Sequence, residues 1–117
     1  MRIFLLTAIK RFLVPAALAV VLLTGSASAE FQVLGAGGVS CGHWSVDRRA
    51  PLDWYWNAQW VLGFLAGIGY MGQPGFDPLR GLDAHAVIVW VDNYCQARPL
   101  DHLLDAAEAF VTAHPHG

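Results

Sequence analysis

Residues 54–71 are WYWNAQWVLGFLAGIGYM, and this stretch decides the fold of the chain. No charged residue lies between Asp53 and Asp77. At 100° per residue, apolar or small side chains fall on both sides of a helix: Trp56, Trp60, Gly63, Phe64, Gly67 and Met71 on one face, and Trp54, Ala58, Val61, Leu65 and Ile68 on the other. A helix that is apolar all round is either buried or lies in a membrane. We expect a helix that Asp53 caps.

The length of the apolar segment and the positions of the two cysteines favour a buried helix over a membrane span. Only residues 60–71 are continuously apolar, whereas a membrane span needs about 20 residues. A span would also place Cys41 and Cys95 on opposite sides of the membrane, where they could not form a disulfide with each other. The Gly63-x-x-x-Gly67 spacing permits close approach of another helix, either in a membrane or in the core of a soluble protein. The pattern therefore predicts a helix buried on all sides, with a peripheral membrane helix as the lesser alternative.

Residues 1–29 have the features of a secretory signal peptide. Three basic residues precede an apolar segment at 12–23, and the small-x-small sequence Ala27-Ser28-Ala29 directly precedes the expected cleavage point. We predict cleavage after Ala29 and a periplasmic location for the mature chain. No cysteine follows the cut directly, so a lipid anchor is not indicated.

The mature chain, residues 30–117, is one small acidic domain. It carries all nine carboxylates, four arginines and no lysine, a formal balance of −5 with neutral histidines. Nucleic acids and anionic membranes need basic surface, so neither is expected as a partner. A domain of this size is only marginally stabilised by its apolar core and often needs a covalent link.

Cys41 and Cys95 are predicted to provide that link as a disulfide. They are the only cysteines, and an exported chain enters an oxidising compartment. A metal site formed by both thiols with His43 is the rival hypothesis. The chain lacks the C-x-x-C or H-x-x-x-H spacing that such a site favours, and no metal or cofactor is expected.

The predicted fold is all-α, a small single-domain helical bundle with one disulfide. Its parts are a flexible arm (30–39), a short helix capped by Ser40 (41–48), the central helix (54–71), a loop (72–78), a helix capped by Asp83 (84–97), and a last helix that has Pro99 in its first turn and ends near residue 113. The bundle occupies 40–114, and 115–117 form a tail. A strand competes at 84–97, because A-V-I-V-W-V is rich in β-branched residues. On the last helix, an apolar stripe that begins at Leu100 opposes an acidic face.

Catalytic motifs are not found. The few hydroxyl side chains lie outside any nucleophile elbow, and both thiols are expected to be oxidised. The histidines are scattered, and His114 and His116 lie in or beside the tail, where they are weak metal candidates. We therefore expect a protein that is not an enzyme.

Tryptophans are the most distinctive residues. The mature chain has five, too many for one small core. Trp54 and Trp90 fall outside the predicted packing faces and are expected to form an exposed patch for a protein partner or a second subunit. The candidate protein-binding residues are Trp54, Trp60, Phe64, Tyr70 and Trp90, of which Trp60 and Phe64 are expected to be buried in the native state.

The positions of the cysteines, of the tryptophan-rich segment and of N-Y-C-Q-A-R-P-L at 93–100 resemble the HdeA/HdeB family of periplasmic acid-stress chaperones. The shared points are Cys41, Tyr94, Cys95 and Pro99. The resemblance implies a compact helical protein with one disulfide that binds exposed apolar segments of client proteins in acid. A second resemblance is to periplasmic immunity proteins that neutralise type VI secretion amidases. Their G-[aromatic]-x-x-G is similar to residues 63–67, which implies an effector enzyme as partner.

Overall fold

Four α-helices make up most of the part of the chain that the structure, a computed structural model, describes, residues 31–115. They are α1 (Cys41–Asp47), α2 (Pro51–Met71), α3 (Ala84–Ala97) and α4 (Leu103–Ala113), preceded by a 3-10 helix at Gly35–Gly38. The predicted all-α fold is confirmed. The predicted signal peptide and the end of the tail lie outside the described residues.

The disulfide between Cys41 and Cys95 is present, as predicted. Both residues are buried, with their Cα atoms 4.6 Å apart. The bond joins the first turn of α1 to the last turn of α3. It closes a long loop that contains the whole of α2, so the central helix is held between two covalently linked neighbours.

Two helix starts lie where their capping residues predict them. The Ser40 hydroxyl accepts a hydrogen bond from the His43 backbone N–H at 3.1 Å, at the start of α1. The Asp83 carboxylate accepts one from the Ala86 N–H at 2.8 Å, at the start of α3. These side chains satisfy backbone donors that have no partner within the helix. The β-rich segment at 84–97 is helical.

The start of α2 differs from the prediction. The helix begins at Pro51, and Ala50 is its N-cap without a side-chain hydrogen bond, so Asp53 lies in the first turn and does not cap. Proline suits the first helical position, because the missing N–H has no intrahelical partner there and its φ angle is already helical. Asp53 still places negative charge near the positive end of the helix dipole.

The start of α4 also differs from the prediction. Pro99 and Leu100 precede the helix, because the backbone here bonds to the segment that enters α1. The Cys41 N–H donates to the Asp101 carbonyl at 2.7 Å, and the Leu103 N–H donates to the Val39 carbonyl at 2.9 Å. Leu100 is consequently outside the apolar stripe of α4 and is 90% exposed.

The core lies between one face of α2 and the inner faces of the other helices. Its buried members are Cys41, Trp44, Ala58, Val61, Leu65, Val87, Ile88, Val91, Cys95, Leu103, Ala106, Ala107 and Phe110. The prediction that α2 is buried on all sides is wrong. A 21-residue helix is about 31 Å long, and three shorter helices do not surround it.

The 3-10 helix covers part of the second side of α2, so residues 35–39 are not the loose arm that was predicted. A Cβ atom at Gly37 would lie 2.5 Å from the Trp60 ring, so only glycine permits this approach. The Trp60 indole N–H donates to the Leu34 carbonyl at 3.0 Å. Trp60 is therefore half-buried between α2 and the segment before α1.

Carboxylates connect α1 to its neighbours. Asp92 on α3 accepts hydrogen bonds from the Trp44 indole at 2.8 Å and from the Arg48 guanidinium at 2.9 Å. The buried Asp47 accepts one from the Asn57 amide on α2 at 2.8 Å. Each bond uses a carboxylate as acceptor, and such charge-assisted hydrogen bonds are stronger than neutral ones.

Tyr94 provides a test at the alkaline end of the pH range. Its hydroxyl donates to the Asp101 carboxylate at 2.7 Å. This hydrogen bond, with smaller contributions from burial and from the charge of Asp101, raises the pKa of Tyr94 to about 12. The phenol ionises more readily in the unfolded chain, so its contribution to stability is complete below pH ~10 and is lost as the pH rises towards 12.

We expect the loss of stability of the parent protein between pH 9 and 12 to be smaller in Tyr94→Phe, measured by urea unfolding. Tyr55→Phe, which alters an exposed tyrosine on α2, is the control and should follow the parent. Equal pH profiles for the parent and Tyr94→Phe would contradict the assignment.

Candidate protein-binding face on the central helix

One side of α2 has no other element of the described chain packed over it. We call it the open face and define it by residues at helical spacing that are all exposed: Leu52, Tyr55, Trp56, Gln59, Gly63, Ala66, Gly67 and Tyr70. Trp56 is 63% exposed and Tyr70 is 88% exposed. Isolated exposed apolar residues are ordinary, whereas a contiguous apolar surface of this kind marks an interaction site.

The middle of the open face is a shallow depression, because its residues have small side chains or none. A Cβ atom added at Gly63 or at Gly67 would meet no atom within 4 Å. Packing among the described residues therefore does not explain these glycines, each of which costs about 1 kcal/mol relative to alanine inside a helix. With Ala66 beside them they form a shallow floor between aromatic residues at both ends. Such a floor permits the backbone of a second helix to approach closely.

Open cavities extend from the first half of the face on both sides. One of about 570 Å³ lies towards the 3-10 helix and is lined by residues that include Trp56, Asn57 and Trp60. Another of about 240 Å³ lies towards α3, lined by residues that include Tyr55 and His85. Both are mostly apolar, which suits the insertion of a partner's apolar side chains.

Trp54 and Trp90, predicted to form an exposed patch, instead pack against the core. Trp54 lies 6.2 Å from Trp44, ring centre to ring centre, with the Arg48 guanidinium 4.6 Å from its own ring. Its indole N–H is buried and has no hydrogen-bond partner among the described residues. Trp90 stacks on Tyr94 and meets Phe110 edge to face. Neither residue lies on the open face.

The other three candidates divide between the two sides of α2. Trp60 and Phe64 stack with ring centres 5.3 Å apart and are half-buried, so the prediction that both are buried is met only in part. Tyr70 lies at the end of the open face and is exposed. Tyr70 shares this side of α2 with residues that were not predicted to bind, above all Trp56 and Tyr55 near the other end of the helix.

The signal for Trp56 was present in the sequence but was assigned to the wrong environment. Trp56 and Trp60 share a side of the helical wheel, and Trp60 is the one that the 3-10 helix covers. The wheel identifies two sides but does not tell which side the rest of a small chain can reach. Leu52 was missed because the helix was expected to begin after it.

No group of three or more His, Cys, Asp or Glu side chains within residues 31–115 has an arrangement that could hold a metal ion. His43 lies 3.4 Å from Asp47, and His102 lies 3.4 Å from Asp105, both with the histidine exposed. No helix of this part of the chain is long and apolar enough to cross a membrane.

Comparison with known proteins gives no assignment: no family model matches the chain, and no curated protein or solved structure matches it.

Proposed function

We propose that this is an exported, non-enzymatic protein that binds other proteins through the open face of α2, and that it acts as a stress-protective periplasmic chaperone of the HdeA/HdeB-like kind. The observation that carries the proposal is the open face itself, an exposed and uncharged helix surface with aromatic residues at both ends. Unfolded clients expose apolar segments, and a surface of this chemistry binds them without a reaction.

Acid increases the available surface in this proposal. Asp47 and Asp92 hold α1 against α2 and α3 through a small number of side-chain hydrogen bonds. In strong acid the four arginines and five histidines of the mature chain give a formal charge of +9, which adds self-repulsion. The disulfide does not titrate, so α1 and α3 stay covalently joined while the packing between the helices loosens. Trp60 and Phe64 then join the open face as binding surface.

We expect the mature protein to suppress aggregation of an acid-denatured test protein at pH ~2–3, where the carboxyl groups of model peptides are protonated. Light scattering measures the aggregation, and binding of a hydrophobic dye measures the exposed surface. Trp56→Ala is expected to protect less than the parent. Leu100→Ala, which removes an exposed apolar side chain outside the open face, is the matched control and should protect as well as the parent.

A protein that remains fully packed in acid, or that unfolds and protects no client, contradicts the chaperone proposal. Protection equal to that of the parent by Trp56→Ala would leave the activity but remove the open face as its site.

A second function, an immunity or inhibitor protein that binds a periplasmic effector enzyme, is favoured by a separate observation. The open face is already formed in the folded protein, on a framework that a buried disulfide ties together. A preformed surface binds one specific partner with little loss of conformational entropy. This function predicts stoichiometric inhibition of an amidase effector at neutral pH, measured by its turnover of peptidoglycan, with no need for acid.

A further inference from the structure

We infer that the occupant of the open face is an amphipathic α-helix with basic residues on its polar side. This inference rests on the proposed protein-binding function and specifies the partner's chemistry. Three features of the described residues support it: the shape of the face, its lack of charge, and the sign of the charges around it.

The shape favours a helix over an extended strand. A bound strand needs a sheet edge with free backbone groups, whereas those of α2 are used within the helix. The floor formed by Gly63, Ala66 and Gly67 is low, with Trp56 near one end and Tyr70 near the other. A helix laid on this floor approaches closely, and its apolar side chains reach the aromatic residues at both ends.

Acidic side chains lie near both ends of the open face. Next to Trp56, a cavity of about 240 Å³ is lined by residues that include Asp47, Asp53 and His43. At the other end, the Asp77 carboxylate oxygen lies 3.2 Å from where a Cβ atom of Gly69 would be. Of these acids Asp53 is exposed, whereas Asp47 is buried and hydrogen-bonded to Asn57. An acid that a partner can reach therefore lies near each end of the uncharged strip, Asp53 at one and the half-buried Asp77 at the other.

The arginines are mostly directed to other partners. Arg48 binds Asp92, Arg80 donates to the Gly75 carbonyl at 2.7 Å, and Arg98 lies 4.7 Å from the Tyr94 ring centre. Arg49 lies in the connection before α2. A partner helix with Lys or Arg along the margins of its apolar stripe therefore meets opposite charge on binding, whereas an acidic partner meets like charge.

The charge pattern also argues against a second copy of this chain as the occupant. The mature chain has a formal charge of −5, and two open faces pressed together would bring two sets of acidic margins into contact. An anionic lipid surface meets the same repulsion.

The test uses three helical peptides with one shared leucine stripe and a polar side made of Lys, of Gln or of Glu. Fluorescence anisotropy of each labelled peptide, titrated with the mature protein at pH 7 and low salt, measures the affinity. We expect the Lys peptide to bind about tenfold more tightly than the Gln peptide, and the Glu peptide to bind more weakly than both. The difference should shrink at high salt, because the screening length falls from about 30 Å at 0.01 M to about 3 Å at 1 M.

Two variants locate the site. Gly63→Leu places a side chain on the floor, where the structure has room for it. It should lower the affinity for each of the three peptides at least tenfold. Ala97→Leu, at an exposed position on α3, is its control and should leave binding unchanged. Asp53→Asn should weaken binding of the Lys peptide and leave the affinity of the Gln peptide unchanged. Glu108→Gln on α4 is its control and should leave the affinities of all three peptides unchanged.

The outcomes separate the two levels of the proposal. Equal binding of all three peptides overturns the basic partner but leaves the protein-binding face. No binding of any peptide by the parent protein overturns both. If the mature protein binds vesicles of anionic lipid more tightly than it binds the Lys peptide, the helical partner is overturned. A stable dimer by light scattering that Gly63→Leu converts to monomer does the same, because the occupant is then a second copy.

Discussion

Reduction of the Cys41–Cys95 disulfide is expected to lower the free energy of unfolding by about 4 kcal/mol. The bond spans 54 residues of sequence, and cross-links that close long loops restrict the unfolded chain most in the chain-entropy model. Domains of this kind have roughly 5–15 kcal/mol of stability in total. The melting temperature should therefore fall by on the order of 20 °C, measured by circular dichroism with and without reductant.

The control is the double variant Cys41→Ser with Cys95→Ser. It should melt near the reduced parent, and reductant should not change it further. Intact mass should show the parent gaining two hydrogen atoms on reduction. A melting temperature that moves by only a few degrees would mean that the helices hold together without the bond.

Trp44→Ala is expected to cost about 3–5 kcal/mol, the range for truncation of a fully buried aromatic side chain. Trp44 has no solvent exposure, and its indole N–H binds Asp92. The variant leaves a cavity beneath α1 and leaves a carboxylate without one of its donors. Thermal and urea unfolding measure the loss.

Trp56→Ala is the matched control, since it removes the same side chain from the exposed side of α2 and should cost less than about 1 kcal/mol. Trp60→Ala, half-buried under the 3-10 helix, should fall between them. Equal losses for Trp44→Ala and Trp56→Ala would contradict an orientation of α2 that leaves Trp56 exposed.

The sequence predicted local features well and the packing of the whole chain less well. Ser40 and Asp83 mark true helix starts because a cap depends on residues only a few positions away. Pro99 looked like a helix start for the same local reasons. Its segment instead bonds to the backbone around Cys41, a contact between residues far apart in the chain that no local pattern contains.

The candidate site shows the same division. Composition indicated that one or two of the five tryptophans lie outside the core, and one, Trp56, is exposed. Which ones do so depends on which side of α2 the short helices and the 3-10 helix reach. Trp54 was expected outside and Trp60 inside, whereas Trp54 packs on Trp44, Trp60 is half-covered, and Trp56 is exposed.

The unequal depth of the five tryptophans also gives the protein an optical property. Trp44 is out of contact with solvent, three others are partly covered, and Trp56 stands on the open face. A collisional quencher such as iodide should therefore reduce the emission of Trp56 first, and a partner seated on the open face should shield that emission. Fluorescence of the unlabelled protein thus reports occupancy of the face, and Trp56→Phe would silence the signal while keeping an aromatic ring in place.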